Sequence, residues 1–269
     1  MSVHDGRPAG RGGHAVAESR HKVEIRDLHK KFGRARILRG VNLDFEDNAI
    51  TTILGPSGTG KSVLLKHIVG LLAPDRGEVV VFNQNIWGMS EAQRNELRKR
   101  FGVLFQDGAL FGSMNVYNNV AFPLRKNTDM DEDQIKEIVL RRLEEVGLSA
   151  AMNRFPAELS GGMKKRAGFA RALVTNPEVV MFDEPDSGLD PVRTTLLCKL
   201  IREVHAEHGG TYVVVSHDIN TVRTVSDYVA VLWHGQIVHN GTRDDAFNSQ
   251  DPFVKQFLSG GAEGPLGME

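Results

Sequence analysis

The octapeptide Gly55-Pro56-Ser57-Gly58-Thr59-Gly60-Lys61-Ser62 sets an ammonium and a hydroxyl side by side at the end of a glycine-rich stretch. Its spacing, G-x-x-x-x-G-K-[ST], suits a loop whose backbone amides cradle a triphosphate. A Cβ at Gly55, Gly58 or Gly60 would block close approach of phosphates or an unusual φ, so glycine lets the amides turn inward. Lys61 is placed to reach the β- and γ-phosphates of a nucleotide, and Ser62 to ligate Mg²⁺. Pro56, Ser57 and Thr59 complete the candidate nucleotide-binding run, and Val63 continues it into a helix.

Two further polar groups follow short apolar runs. Asp183 and Glu184 come directly after Val179-Val180-Met181-Phe182, with Pro185 next. Four apolar residues in a row read as a strand buried on both faces, and ligands of open α/β sheets bind at the carboxyl ends of such strands. Asp183 suits direct or indirect binding of the magnesium, and Glu184 is placed to polarise an attacking water. A second run, Thr211 to Val215, ends in Ser216-His217-Asp218. His217 can donate to a γ-phosphate or to the water, and it titrates near neutral pH. The candidate catalytic groups are therefore Lys61, Glu184 and His217. The other nine histidines have no metal-ligand spacing and read as surface or tail residues.

The elements that must position these groups are legible in outline. Ala49 to Leu54 reads as a strand entering the glycine loop, and Lys61 to Val69 as the helix leaving it. An N-terminal antiparallel β part feeds a mainly parallel sheet flanked by helices. Asp131 to Val146 reads as a helix with Ile135, Ile138, Val139, Leu143 and Val146 on one stripe and charges opposite. Asp190 and Pro191 open another, which runs to about Glu207 and stops at Gly209-Gly210. Ser160, Gly161 and Gly162 open a third, to about Val174, whose positive end and free amides form an anion site. Phe111, Met114, Val116, Tyr117, Val120, Phe122 and Leu124 put more apolar surface on one stretch than one helix face can bury, which points to a groove for a partner. Asp251 to Leu258 reads as a capped short helix with Phe253, Phe257 and Leu258 along one side.

Composition narrows the function classes. With 269 residues, the chain can bury a large core. A net charge of −1 offers nucleic acid no general attraction. Cys198 is the single cysteine, which excludes an intrachain disulfide framework, suits a reducing compartment, and reads as a helix-packing residue. No apolar run approaches a membrane-spanning length. Residues 1–20, rich in Gly, Arg and His, read as a disordered tail, neither signal peptide nor anchor.

Leu159-Ser160-Gly161-Gly162-Met163, Gln106 and Ser187-Gly188-Leu189-Asp190 resemble the signature, Q-loop and D-loop of ABC transporter ATPases, and their order with the other motifs matches from about Val23 to Gly241. Within that superfamily the chain is most similar to the Mla/Mce-type lipid-transport group, MlaF and MceG (Mkl). The residues that carry this likeness are Phe105-Gln106-Asp107-Gly108-Ala109-Leu110-Phe111, Asn119 to Leu124, Glu184 to Pro191, Gln256-Phe257-Leu258 and Gly264 to Met268. Met163 stands where many ABC members carry glutamine, a change the lipid-transport group shares. Phe32 occupies the place of the adenine-stacking tyrosine, and stacking needs only a ring face.

The resemblance implies an α/β P-loop NTPase core of ABC type, residues 23–105 and 159–242, with a helical subdomain at 106–158, an N-terminal tail at 1–22 and a C-terminal extension at 243–269. It further implies a homodimer in which the signature of one copy covers the nucleotide of the other. Integral-membrane permease subunits and MCE-type substrate-binding proteins would complete the machine, with ATP and Mg²⁺ as ligands and no nucleic acid. The subunit would lie in the cytoplasm on the inner face of the plasma membrane. The extension would reach the neighbouring ATPase, so that deleting residues 249–269 weakens self-association. The competing readings are a polar-solute transporter subunit, a non-transport ABC ATPase, which would need coiled coils or two cassettes, and a P-loop kinase or GTPase, which would leave the signature unexplained.

Overall fold

The computed structural model describes residues 21–106 and 108–267. The expected tail at residues 1–20, together with Asp107 and Met268, lies outside the described residues. In chain order the strands are β1 (Val23–Phe32), β2 (Ala35–Phe45), β3 (Ile50–Leu54), β4 (Arg76–Val81), β5 (Gln84–Asn85), β6 (Phe101–Leu104), β7 (Val179–Asp183), β8 (Thr211–Ser216), β9 (Tyr228–Trp233) and β10 (Gln236–Thr242). The α-helices are α1 (Lys61–Ile68), α2 (Glu91–Arg98), α3 (Val116–Asn127), α4 (Glu132–Glu145), α5 (Gly161–Leu173), α6 (Pro191–His208), α7 (Ile219–Val225), α8 (Arg243–Phe247) and α9 (Pro252–Ser259).

Two sheets result. The antiparallel one has the order β2-β1-β4-β5, and the larger one has the order β10-β9-β3-β8-β7-β6. In the larger sheet β9, β3, β8, β7 and β6 pair in parallel, and only the edge strand β10 runs against its neighbour. Parallel alignment brings the carboxyl ends of β3, β6, β7 and β8 to one edge, where residues 55, 105, 184 and 217 begin their loops. All five residues of β3 and all six of β8 are buried, as strands covered on both faces must be. Along β3 the side chains divide between layers: Ile50 packs with the α3–α5 side and Ile53 with α1 and the antiparallel sheet. Leu54 packs with α9.

Helix boundaries follow cap chemistry. Asp131 Oδ1 accepts from the Gln134 amide at 2.9 Å and Gln134 Oε1 accepts from the Asp131 amide at 3.0 Å, a reciprocal cap that starts α4. Asp190 accepts from the Arg193 amide at 3.0 Å ahead of Pro191, and α6 stops at Gly209 with φ +65°. Ser160 caps α5 through a bond from the Met163 amide at 3.3 Å.

Three sequence expectations change. Among the nine other histidines, His67 is fully buried on α1, its Nδ1 2.7 Å from the Val63 carbonyl, because α1 packs against the antiparallel sheet. In the 111–124 stretch, Val116, Val120 and Leu124 are buried in the core, which leaves the Phe111–Phe122 pair outside, ring centroids 4.9 Å apart. The C-terminal helix spends its apolar side on its own chain. Phe253, Val254 and Leu258 pack with Leu54, Val222, Val229 and Val231, and Phe253 stacks on Trp233 at 4.0 Å. Deleting residues 249–269 would therefore uncover core, so a loss of self-association on deletion would have to be separated from a loss of folding.

Candidate functional site

The glycine loop owes its shape to three separate constraints. At Gly55 a Cβ would meet the Leu232 carbonyl oxygen at 2.3 Å, so the loop starts pressed against β9. Gly58 has open space but φ +80°, a conformation side chains rarely adopt. Gly60 has φ +103°, and its Cβ would meet Ile37 at 2.7 Å, while it serves as the N-cap of α1 with no side-chain bond. The first amides of α1 thus stay free for a ligand, as an anion site at a helix start requires.

Lys61 is 4% exposed, and its Nζ donates to the carbonyls of Gly55 and Pro56, each at 2.9 Å. Its Nζ also lies 3.8 Å from Glu184 Oε1. Burial lowers the Lys61 ammonium from its ordinary value, opposed by the charges of Glu184, Asp183 and Asp186. The neighbouring Ser62 hydroxyl donates to Asp183 Oδ1 at 2.8 Å. Burial also raises the Asp183 carboxyl, against the Ser62 bond that lowers it. A hydroxyl and a carboxylate oxygen at hydrogen-bond distance are two hard donors of the kind Mg²⁺ takes, so the residues fit that ion.

Glu184 closes the constellation. Its φ is +50°, its amide donates to the Val215 carbonyl at 2.9 Å, and its Oε1 lies 3.4 Å from His217 Nδ1. A non-glycine residue held in this region costs on the order of 1 kcal/mol and persists only where its surroundings fix it. His217 remains open to solvent, 45% exposed. Gln106 Nε2 donates to Ser187 Oγ at 3.1 Å, which joins the end of β6 to the loop after β7. Phe32 ends β1 with 49% of its surface exposed, outside the core, with Lys30 Nζ 5.6 Å from its ring centroid.

Ser160 and Gly162 open α5 beside a cleft of about 380 Å³ bordered by Met163, Leu189, Arg193 and Leu196, on the side where the D-loop residue Asp190 caps α6. Cys198 is 3% exposed, its Sγ lies 3.6 Å from the Thr221 hydroxyl, and burial pushes its thiol up to about 11, in keeping with a packing role.

Sequence reasoning missed three residues. Asp186, 7% exposed, accepts from Ser216 Oγ at 2.7 Å and Thr221 Oγ1 at 3.1 Å, tying the loop after β7 to the loop after β8. Lys165, 6% exposed, reaches the same loop from α5, donating to the Ser187 carbonyl and at 3.4 Å to that of Glu184. Arg142 is a charged residue within the apolar stripe of α4, one turn from Ile138 and Val146, and it is 1% exposed. It donates to Glu145 at 2.6 Å and to Asn176, and its Nη1 lies 2.7 Å from His208 Nε2. Glu145, Glu207 and His208 converge closely enough to hold a metal, but the Arg142 guanidinium already bonds two of the three. The signal that flags Arg142 is a charge inside an apolar stripe, and Lys165 carries a weaker one of the same kind, since it shares its side of α5 with Phe169, Ala172 and Leu173.

Residues 38–187 match the family model described as ABC transporter, more than half of the chain. The chain belongs to the ABC transporter ATP-binding family. As such a cassette it is an ATPase of mixed-sheet P-loop architecture. A probable ribonucleotide transport ATP-binding protein, mkl, of Mycobacterium leprae is 48% identical over 91% of this chain and 71% of its own length. MlaF of Haemophilus influenzae, named an intermembrane phospholipid transport system ATP-binding protein, is 42% identical over 91% of this chain and 92% of its own. A solved dimeric ATP-binding cassette in a post-hydrolysis state, bound to ADP and Pi, has a TM-score of 0.76 and 30% identity, covering 82% of this cassette and 98% of that chain. The likeness to the MlaF and Mkl group stands on relatives matched across nearly the whole cassette. Among the described residues no helix is long and apolar enough to cross a membrane.

Proposed function

We propose that this cassette hydrolyses MgATP as one half of a homodimer and so energises an Mla/Mce-type transporter of lipids, from the cytoplasmic face of the plasma membrane. The observation that carries the catalytic part is the convergence at one sheet edge: Lys61 beside Glu184, Ser62 on Asp183, and Glu184 beside His217, at 3.8, 2.8 and 3.4 Å. The division into a core at 23–105 and 159–242, a helical subdomain at 106–158 and a C-terminal extension at 243–269 belongs to the same proposal.

Backbone amides of residues 55–62 receive the phosphates of ATP, and Phe32 offers its exposed ring to the adenine. Lys61, now on two carbonyls of its own loop, exchanges them for phosphate oxygens, a short move for a side chain already held in place. Ser62 and Asp183 would hold Mg²⁺, which supplies charge neutralisation to the phosphate oxygens. Glu184 accepts the proton of the water whose oxygen attacks the γ-phosphorus, with ADP leaving on the far side. His217 orients that water or the γ-phosphate. Ser160, Gly161 and Gly162 of the partner copy close over the nucleotide, and Gln106 relays its state to the subdomain that meets the permease.

Two relatives' names differ on cargo, ribonucleotide for mkl and phospholipid for MlaF. The lipid reading is favoured because MlaF aligns over 92% of its own length, against 71% for mkl. The polar-solute reading has the mkl name behind it. Purification from native membranes decides between them: co-purifying permease and MCE-type proteins carrying lipid support the first, whereas turnover stimulated by ribonucleotide and not by lipid supports the second.

The catalytic assignment has its own test. Glu184→Gln should keep ATP binding, trap the closed dimer and lower turnover by roughly a hundredfold or more. Lys61→Ala should lose ATP binding. A Glu184→Gln protein that hydrolyses at the wild-type rate removes Glu184 from its role.

A further inference from the structure

α5 does two jobs that meet in one side chain. Its first turn, Ser160 to Gly162, is the segment assigned above to the partner's nucleotide. A little further along, Lys165 turns inward and is 6% exposed, unusual for a lysine. A buried ammonium must be met by acceptors, and two of those present are backbone carbonyls of the loop between β7 and α6. Lys165 Nζ donates to the carbonyl of Ser187 and, at 3.4 Å, to that of Glu184. The same loop is held from its other side, since Gln106 donates to Ser187 Oγ at 3.1 Å.

The loop needs such holding. Glu184 has φ +50°, with its amide fixed on the Val215 carbonyl. Its carbonyl is the end that Lys165 takes. α5 is itself a stiff lever: a Cβ on Gly168 would meet Leu104 at 2.6 Å, and Arg171 donates to the carbonyls of Gly108 and Ala109 at 2.9 and 2.7 Å. A displacement at Ser160 therefore travels through a helix without slack to the backbone of the catalytic glutamate.

We propose that Lys165 is a positioning residue for hydrolysis, coupling the engagement of the partner's nucleotide by α5 to the setting of Glu184 in its own subunit. Each copy's general base is then tuned by whether the other copy's site is occupied. This rests on the assignment of Glu184 and Ser160 under Proposed function.

The test uses the full-length cassette with Lys165→Met, which keeps the aliphatic stem, and Lys165→Arg, which keeps the charge. Lys165→Met should lower kcat roughly tenfold or more while KM for MgATP moves by less than about twofold, and Lys165→Arg should recover part of kcat. In the Glu184→Gln background Lys165→Met should lower the residual turnover no further, because the group it positions is already gone. Lys165→Met turnover within twofold of wild type overturns the proposal. So does a fall in kcat that is the same size with and without Glu184→Gln. If Lys165→Met does not fold, Lys165→Arg against wild type decides: kcat and cooperativity in MgATP both unchanged by a guanidinium that cannot reproduce the ammonium's geometry would overturn it, and a fall in kcat at constant KM supports it. Wild-type turnover by Glu184→Gln alone would instead bring down the underlying assignment.

Discussion

The nucleotide edge of the large sheet and the helical stretch at 106–158 are built on opposite principles. At the edge, charged and polar side chains are withdrawn from solvent and held by hydrogen bonds: Lys61 on the carbonyls of its own loop, and, across distant segments, Ser62 on Asp183 and Ser216 and Thr221 on Asp186. The chemistry there is set by strand ends that the parallel sheet cannot let drift. In the helical stretch the order comes from apolar stripes, Val116, Val120 and Leu124 of α3 against Ile135, Val139 and Leu143 of α4, while an aromatic pair is left at the surface. One region is organised to hold a ligand still, and the other offers a surface that can be grasped. Coupling between them must therefore run through the few polar side chains that cross the boundary, Gln106 on Ser187 among them.

Arg142 also ties the helical stretch to the core, at the amino ends of β7 and β8 and away from the nucleotide edge, and the loss of that tie should be felt most. It leaves α4 to meet Asn176, just before β7, and His208 at the end of α6. Arg142→Met keeps volume but leaves Glu145, Asn176 and His208 without their shared donor. Breaking a buried charged network of this kind costs about 3 kcal/mol, which denaturant unfolding would read as a lower midpoint. An unchanged midpoint would mean that the helical stretch is joined to the core there by apolar packing alone.

A smaller and more selective effect is expected on the other side of the comparison. Phe111→Ser with Phe122→Ser alters exposed rings and no catalytic group. ATP turnover by the isolated cassette should stay within about twofold, whereas co-purification with the permease should fall roughly tenfold, as for loss of an interface anchor. Equal recovery of the permease with both variants would show that the grasped surface lies elsewhere.

How much of each region could be read beforehand follows the same divide. Glycine spacing, the paired carboxylates after an apolar run and the histidine after another gave away the edge, because the chemistry tolerates few alternatives at each position. Helix ends were also plain, since Asp131 and Asp190 cap where their types say they should. Hidden were the side chains that act across the fold. Arg142 and Lys165 stand at helical spacing with buried apolar neighbours, yet a charge there names no partner, and only three-dimensional packing shows that each is buried against carbonyls, amides or carboxylates. The C-terminal helix was seen, yet its destination against Leu54 and Val231 was not, because amphipathicity says that a face is covered and not by what.

Acid should separate the two regions as well. His67 on α1 is buried, and burial lowers its ring below the ordinary 6.5. The unfolded ring takes a proton as pH falls through 6.5 while the folded one refuses it until lower pH. Stability is therefore complete above that value and is lost on the acid side. Residues 106–158 contain no histidine. Hydrogen exchange compared at neutral and mildly acidic pH should show α1 losing protection before α4, and His67→Leu should abolish the difference. Simultaneous loss in both helices would place the acid-sensitive group elsewhere.

The smallest expected effect concerns Cys198. It lies on α6, the helix that starts at the D-loop and ends against Arg142, so a reactive thiol there would disturb both regions at once. Its environment argues against reactivity: the side chain is 3% exposed, and burial pushes the thiol up to about 11. At pH 8 the thiolate fraction is then of order one part in a thousand, and access is closed as well. Iodoacetamide should leave the folded cassette unmodified and its ATP turnover unchanged, while the denatured chain is alkylated promptly. Rapid labelling of the native protein, read by intact mass, would show that α6 opens locally, and would make this helix the moving part between the two regions.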